Sequence, residues 1–341
     1  MSLMECLEKA NLPKNQTVLD NFIRAHKIVN DPRYKNILCS VSGGSDSDDM
    51  LDIIHKVDEQ NKVRYVWFDT GLEYQATKDH LLYLEQKYNI KIERERAIKP
   101  IPTTCKEYGQ PFLSKYASDM ISRLQKVDFK WEDKSYEELS LEYKNVTGPL
   151  KWWCNMNDKV HMNDYGFSRF NISFNKYLKE FLILNPPSFK ISADCCKYAK
   201  KDVVQELMNK YDADLSIVGV RKVEGGIRSA AYENCFSDDL HGYSQYRPLW
   251  WYKNEDKYEY EKQNRIKHSN CYIVYGFKRT GCCCCPYGRD LFKELSVTQK
   301  YEPKLYKAVN NVFKDSYEYT RQYLQFRKEM KDKEKGRKRL F

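Results

Sequence analysis

The hexapeptide Ser42-Gly43-Gly44-Ser45-Asp46-Ser47 has the composition of an anion-binding turn. Paired glycines let a backbone turn tightly and approach an anion with no Cβ in the way. The hydroxyls of Ser42, Ser45 and Ser47 add donors, and Asp46 is placed to orient the loop amides or to hold a metal ion. It is not a Walker A loop, because no Gly-Lys-Ser/Thr follows. The second chemical group is sulfur. Of twelve cysteines, two are adjacent (Cys195-Cys196) and four are consecutive (Cys282, Cys283, Cys284, Cys285). In a reducing cytosol such groups are metal ligands or redox thiols more often than a disulfide framework. Four thiolates suit an iron–sulfur cluster or a structural zinc; adjacent ligands strain a tetrahedral ion, which favours the cluster. The consecutive run leaves the ligands open: Cys283 or Cys284 can replace one, and Cys271 is a further candidate. Cys6, Cys39, Cys105, Cys154 and Cys235 read as buried small hydrophobes. The histidines at 26, 55, 80, 161, 241 and 268 form no ligand-spaced group and read as surface or helix residues. The Trp/Tyr groups at 152–153 and 250–252 read as core aromatics, with base stacking the lesser alternative.

The elements around these residues must place them. Residues 17–29 have helical spacing, 36–41 form a short apolar run suited to a buried strand, and 48–57 put Met50, Leu51, Ile54 and Val57 on one helical face. Strand 63–69, helix 73–89 and strand 90–95 follow. This alternation means a parallel sheet with crossover helices. The hexapeptide then falls between a buried strand and an amphipathic helix, whose free N–H groups and positive dipole end favour a phosphate. Regularity fades between 98 and 190, read as a mostly helical insertion with a helix near 112–126. The α/β pattern returns with helix 195–211 and strand 213–220, followed by a charged helix near 254–267, the cysteine run and a long helix from about 302. The expected fold is thus α/β, a doubly wound, mainly parallel sheet with a helical insertion and a helical C-terminal extension. The expected domains are an N-terminal helix (1–34), a nucleotide-binding α/β domain (35–240) and a cysteine-cluster region with a helical tail (241–341).

Composition bounds the partners. The 341 residues are 41% hydrophobic and 31% charged, enough for a sizeable core and against wholesale disorder. Lys and Arg number 58 against 48 acidic residues, a net charge of +10 that weakly favours polyanionic partners. No apolar run approaches the roughly 18–20 residues of a membrane span. The stretch MSLMECLEKANLPK lacks a basic segment followed by an apolar one, so no secretory signal is expected and the expected location is the cytoplasm.

On these residues the chain resembles the PP-loop, adenine-nucleotide α-hydrolase superfamily, and within it the phosphoadenosine phosphosulfate (PAPS) reductase family. SGGSDS after a first strand is similar to the PP-loop. VWFDTGLEYQAT (66–77) resembles the family's "DTG…T" segment, IVGVRKVEGGIRSA (217–230) its "G-x-R…E…R" stretch, and YRPLWWYKNEDKYEY (246–260) its structural "PL…W…D…Y" segment. The resemblance implies that Asp69, Thr70 and Gly71 line a nucleotide pocket and that Arg221 and Arg228 meet the anionic end of the nucleotide. Cys195-Cys196 with Cys282-x-x-Cys285 is similar to the 4Fe-4S pattern of adenylylsulfate reductases. Cys271, Cys282 and Cys285 also resemble the grouping of DNA-phosphorothioation enzymes. Lys200 lies where that group has a basic residue beside the cysteine pair, its charge suited to tuning both cluster and nucleotide.

Three departures bear on activity. Many relatives have Lys at the position of Ser45, and Ser or Thr at that of Asp48. Asp48 and Asp49 suit the helix dipole but repel a bare phosphate: either Mg²⁺ bridges them or, the favoured reading, they point away from it. The reductases' mobile nucleophilic cysteine lies in a C-terminal Glu-Cys-Gly motif, whereas no cysteine follows Cys285 here. The expected function is therefore ATP-dependent adenylylation and sulfur transfer, with Mg²⁺ neutralising the pyrophosphate leaving group and an iron–sulfur cluster assisting. The alternatives are a sulfonucleotide reductase and a non-catalytic nucleotide- or nucleic-acid-binding regulator. A nucleic acid is the candidate acceptor, a protein the candidate sulfur donor and a homo-oligomer the candidate assembly.

Overall fold

The structure, a computed structural model, describes residues 3–157, 168–225, 232–238 and 242–338. The chain clusters into two compact units, Met1–Ile98 with Ala199–Cys283, and Lys99–Tyr198 with Cys284–Phe341. This division differs from the three expected segments. Residues 241–283 belong with the sheet, and the cut falls inside the cysteine run, between Cys283 and Cys284.

The first unit is a six-stranded sheet in the order β3-β2-β1-β4-β6-β5. Its strands are β1 (Ile37–Ser40), β2 (Val63–Asp69), β3 (Ile92–Arg96), β4 (Leu215–Val218), β5 (Phe236–Ser237) and β6 (Ser244–Tyr246). All pairings are parallel except that of β5, which runs antiparallel on the edge beside β6. Helices α1 (Leu3–Lys9), α2 (Gln16–Val29), α3 (Ser45–Val57) and α4 (Gln75–Tyr88) belong to this unit. The reason β1 reads as an unbroken apolar run is that both of its faces are covered. Ile37 and Cys39 pack with Phe22 of α2 and Met50 and Ile54 of α3, whereas Leu38 packs the other way with Val203 and Leu207. The N-terminal helices share this core through Cys6 and Phe22 and do not form a separate body.

Helix α3 departs from the expected single apolar face. Asp48, Asp49 and Asp52 are buried along with its apolar residues, so each carboxylate needs a partner inside the protein.

The second unit is helical, as expected for the insertion, and takes in the chain's C-terminal part as well. It contains α5 (Ile101–Tyr108), α6 (Lys115–Gln125), α7 (Tyr136–Glu142), α8 (Thr147–Trp153), α9 (Leu178–Leu184) and α10 (Asp194–Cys196). A π-helical turn, Lys197–Lys201, then leads into α11 (Asp202–Lys210), which covers the sheet. The first unit adds α12 (Asn254–Asn264) and α13 (Asn270–Ile273); the second adds α14 (Leu291–Tyr301), α15 (Pro303–Val312) and α16 (Lys314–Lys338). Trp152 and Trp153 are fully buried in the second unit's core, where Trp153 meets Phe129 edge-on at 5.3 Å. Trp250 and Tyr252 are likewise buried in the first unit, which bears out core packing over base stacking for these rings; Trp251 is exposed. No described helix is long and apolar enough to cross a membrane.

Candidate functional site

Strand β1 is flanked by β2 on one side and β4 on the other, so the chain reverses its direction of winding between β1 and β4. In open α/β sheets, ligands bind outside the carboxyl ends of the strands at such a switch point. The loop 42–44 lies there. The loop after β4 meets it closely: a Cβ on Gly219 would stand 3.2 Å from the Asp46 carbonyl oxygen. Gly43 turns the chain at φ +66°, and a Cβ there would meet Thr77 Cγ2 at 3.0 Å. Gly44 has an ordinary φ; its need for glycine is space, since a Cβ would crowd three hydroxyls at 3.2–3.3 Å, those of Ser42, Thr280 and Tyr272.

Those hydroxyls correct one expectation. The loop amides are not bare. The Gly44 N–H donates to Ser42 Oγ at 3.3 Å, the Ser45 N–H to Tyr272 Oη at 3.1 Å and the Ser42 N–H to Ser47 Oγ at 2.8 Å. Ser47 is buried and holds the turn together rather than facing a ligand. Tyr272 Oη also lies 3.0 Å from Thr280 Oγ1. A hydroxyl both accepts and donates, so these groups can accept from the amides and also turn to donate to a phosphate oxygen.

Asp46 does not present a free carboxylate for a metal ion. Its Oδ1 accepts from Arg221 Nε at 2.9 Å and from Lys257 Nζ at 2.5 Å, and Lys257 reaches Ser45 Oγ at 3.0 Å. Burial works to raise the Asp46 pKa, but Lys257 and then Arg221 outweigh it and hold the carboxyl below its usual range. Two cations thus converge on the phosphate loop. Arg221 is where the sequence placed an anion-binding residue. Arg228 lies outside the described residues. Lys257, on α12, carried no sequence signal beyond its place in a charged helix.

Behind the loop runs a buried chain of charges that the sequence reading missed. Asp48 does point away from the phosphate side. It accepts from His80 Nε2 at 3.0 Å and from His268 Nδ1 at 2.8 Å, and His268 Nε2 meets Glu261 Oε1 at 2.8 Å. With a carboxylate at each ring nitrogen, His268 must carry both protons. Burial opposes that charge, but Asp48 and Glu261 override it and push the pKa up to about 10. His80 is a helix residue, as expected, but buried, and His268 is half-buried; the grouping invisible in sequence spacing forms in three dimensions. Asp49 is wholly buried with neither oxygen hydrogen-bonded, and Lys257 Nζ lies 3.3 Å away; burial pushes its pKa well above the usual range. Asp49, Glu261 and His268 have ligand atoms within 4.8 Å of one another, a spacing open to a cation. Lys257 and protonated His268 already supply positive charge there.

The residues expected on the nucleoside side are committed to local contacts. Asp69 accepts from the Gly71 N–H at 3.0 Å and from Arg94 Nε at 2.9 Å. Thr70 is fully buried, donating to Glu73 Oε1 at 2.6 Å. Burial raises the Glu73 pKa, and Lys200 acts against the rise. The charge of Lys200 is thus felt beside the strand-two turn. A surface cavity of about 530 Å³ lies at the opposite end of the sheet, lined by Ile37, Val63 and Asn89 among others.

The cysteine run divides. In the first unit, Cys282 Sγ lies 3.6 Å from Thr70 Oγ1, and the Cys283 N–H donates to the Leu72 carbonyl at 2.8 Å. Cys271, also in this unit, lies 3.6 Å from Thr77 Oγ1. In the second unit, Cys284 faces Thr298 Oγ1 at 3.2 Å. Cys285 lies near Cys195, whose side chain hydrogen-bonds those of Cys105 and Cys196. Cys105, read from sequence as an inert core residue, is thus the unforeseen member of this group.

The family model of the phosphoadenosine phosphosulfate reductase domain matches residues 36–140 and 156–287. No curated protein matches the chain significantly. Among solved structures, the chain is similar to a PAPS reductase from Candida auris in complex with phosphate, at 13% identity and a TM-score of 0.42, covering 83% of this chain and 96% of that one. It is similar to a U34-tRNA thiolase from Methanococcus maripaludis bearing a 4Fe-4S cluster, at 13% identity and a TM-score of 0.38, covering 92% and 80%. An NH3-dependent NAD synthetase from Campylobacter jejuni aligns at 10% identity and a TM-score of 0.36, covering 89% and 95%.

Proposed function

The chain belongs to the phosphoadenosine phosphosulfate reductase domain family, and from that premise we propose that it binds ATP at the β1–β4 switch point and adenylylates an acceptor for sulfur transfer. The carrying observation is the convergence of Arg221 and Lys257 on Asp46 beside the loop amides. The triphosphate meets Arg221, Lys257, the Ser42 hydroxyl and the amides of Gly44 and Ser45, while Tyr272 and Thr280 turn their hydroxyls outward to donate. Mg²⁺ arrives on the nucleotide's phosphates as part of the substrate, since Asp46 is engaged by two cations. An acceptor oxygen, having lost its proton, attacks the α-phosphorus, and pyrophosphate leaves with the electron pair of the broken P–O bond. A sulfur nucleophile then displaces AMP from the adenylylated acceptor. Positioning and preorganised charge do the catalytic work.

The thiols of the second unit fit an iron–sulfur cluster by the chemistry of the donor set. Bound there, such a cluster supplies a soft site for holding sulfur. A sulfonucleotide reductase is the second reading, favoured by the family match.

Pyrophosphate release from MgATP tests the first reading, with sulfide and nucleic-acid or small hydroxyl and amide acceptors. Arg221→Met and Asp46→Asn are expected to lower the rate by roughly 10²–10³, the loss seen when one preorganised charge contact is removed. ATP left intact by the wild-type protein with every acceptor, alongside thiol-dependent sulfite release from PAPS, would transfer the assignment to the reductase.

A further inference from the structure

We propose that Cys105 is the fourth protein ligand of an iron–sulfur cluster in the helical unit, completing a set with Cys195, Cys196 and Cys285, and that the Tyr287 hydroxyl donates a hydrogen bond to the cluster's sulfur. This rests on the cluster part of the reading above and replaces Cys282 in the expected ligand set.

Three remote chain segments bring the four thiols together. Cys105 sits on α5, is 5% exposed, and hydrogen-bonds Cys195, which is 4% exposed. The contact is built into the backbone. The Gln110 N–H donates to the Lys190 carbonyl at 2.8 Å and the Ser192 N–H to the Gln110 carbonyl at 3.0 Å. This parallel bridge ties the exit of α5 to the segment entering α10. Gly109 makes the approach feasible: at φ +115°, a Cβ would stand 2.3 Å from the Lys190 oxygen. Ser192 Oγ then accepts from the Asp194 N–H at 3.0 Å, setting the start of the helical turn that carries Cys195 and Cys196.

Cys285 arrives from the other side by a turn of equal specificity. Cys284 adopts φ +46°, a conformation uncommon for a residue with a side chain. Its Sγ is engaged by Thr298, and its carbonyl accepts from Tyr317 Oη at 2.6 Å. The Gly288 N–H donates to the Cys285 carbonyl at 2.7 Å, where a Cβ on Gly288 would crowd that oxygen at 3.0 Å. Cys284 is thus the anchor, and Cys285 follows it into the neighbourhood of Cys195.

One observation favours a bound metal centre over bare thiols. Tyr287 is buried near Cys195, Cys196 and Cys285, and its hydroxyl has no hydrogen-bond partner of good geometry. The Ser118 hydroxyl beside it is engaged with the Phe112 backbone on both sides, at 2.8 Å each. A buried O–H without an acceptor is costly, and thiolate or sulfide sulfur would satisfy it. On ligation each thiol releases its proton to solvent and donates a sulfur lone pair to iron.

Full-length protein reconstituted anaerobically with ferrous iron, sulfide and dithiothreitol tests the assignment by iron and sulfide content, visible absorption and the paramagnetic spectrum of the reduced form. Wild type is expected to take up about four iron and four sulfide per chain. Cys105→Ser and Cys105→Ala are expected to lose most of it, as Cys195→Ser and Cys285→Ser do. Cys282→Ser, Cys284→Ser and Cys154→Ser are expected to retain it. Tyr287→Phe keeps the iron and shifts the spectrum or midpoint potential. Thermal melting of each apoprotein separates lost ligation from lost folding: a Cys105 variant that melts like wild type yet lacks iron supports the assignment. Full, spectroscopically unchanged cluster in Cys105→Ala, or its loss in Cys282→Ser, overturns the ligand set while leaving the cluster standing. Stoichiometric zinc, or no metal at all, in wild type overturns the cluster; pyrophosphate release from ATP reports separately on the nucleotide reading.

Discussion

Around the phosphate loop of the first unit, donors and acceptors are matched: amides to hydroxyls, Asp46 to Arg221 and Lys257, Asp48 to two histidines. Around Cys195 in the second unit, the Cys195 thiol meets those of Cys105 and Cys196, and the Tyr287 hydroxyl is left over. The two regions use small polar groups in opposite ways. A ligand that comes and goes is served by a site that satisfies itself between visits, because hydroxyls can exchange one partner for another at little net cost. A resident cofactor is served by a group such as the Tyr287 hydroxyl, which its arrival would satisfy, because its binding energy becomes part of folding.

The sharpest way to break this contrast is to strand a charge in the satisfied region. Lys257→Met leaves Asp46, Asp49 and Glu261 without their shared ammonium and is expected to destabilise the first unit by roughly 3–5 kcal/mol in urea unfolding. Adding Asp49→Asn to that variant should recover part of the loss. A change below about 1 kcal/mol would mean that the network behaves like solvent-exposed pairs. A smaller effect tests the chain behind the loop. The pKa of His268 is raised from 6.5 to about 10, so its protonated form stabilises the folded protein fully below pH 6.5, and that contribution is lost as pH rises through 10. The melting temperature of wild type should therefore fall across that window, and His268→Gln should flatten the slope; equal slopes would remove His268 as the linked group. The smallest effect sharpens the self-satisfied loop itself. Tyr272→Phe removes one hydroxyl donor to the phosphates, so calorimetry should show MgATP binding weakened by a few-fold, on the order of 1 kcal/mol. Tighter binding would mean that the hydroxyl competes for the Ser45 amide more than it serves the nucleotide.

The Rossmann-like part of the chain was legible because its signals are local. Strands β1 and β2 and helices α3 and α4 are each written in a few consecutive residues, and a covered strand must be apolar whatever lies elsewhere. The short strands β5, at the edge, and β6 beside it carry only two and three residues and left no periodicity to read. The histidines were misread for a related reason. His80 and His268 lie on different elements, and only the packing of α4 and the segment after α12 against α3 brings them to Asp48.

By itself, then, the sequence determined the glycine turn at 43–44, the parallel sheet around it and the presence of an unusual number of thiols. Each follows from what adjacent residues permit: a positive φ, an unbroken apolar run, a sulfur on the chain. Tertiary structure alone decided which groups meet. It set Lys257 and Arg221 on Asp46, closed the loop amides with Tyr272 from a distant helix, and chose Cys105 as the neighbour of Cys195 from among twelve cysteines. The physical reason is that hydrogen bonds and ion pairs act over a few ångströms, and distances of that size between remote residues exist only once the chain has folded.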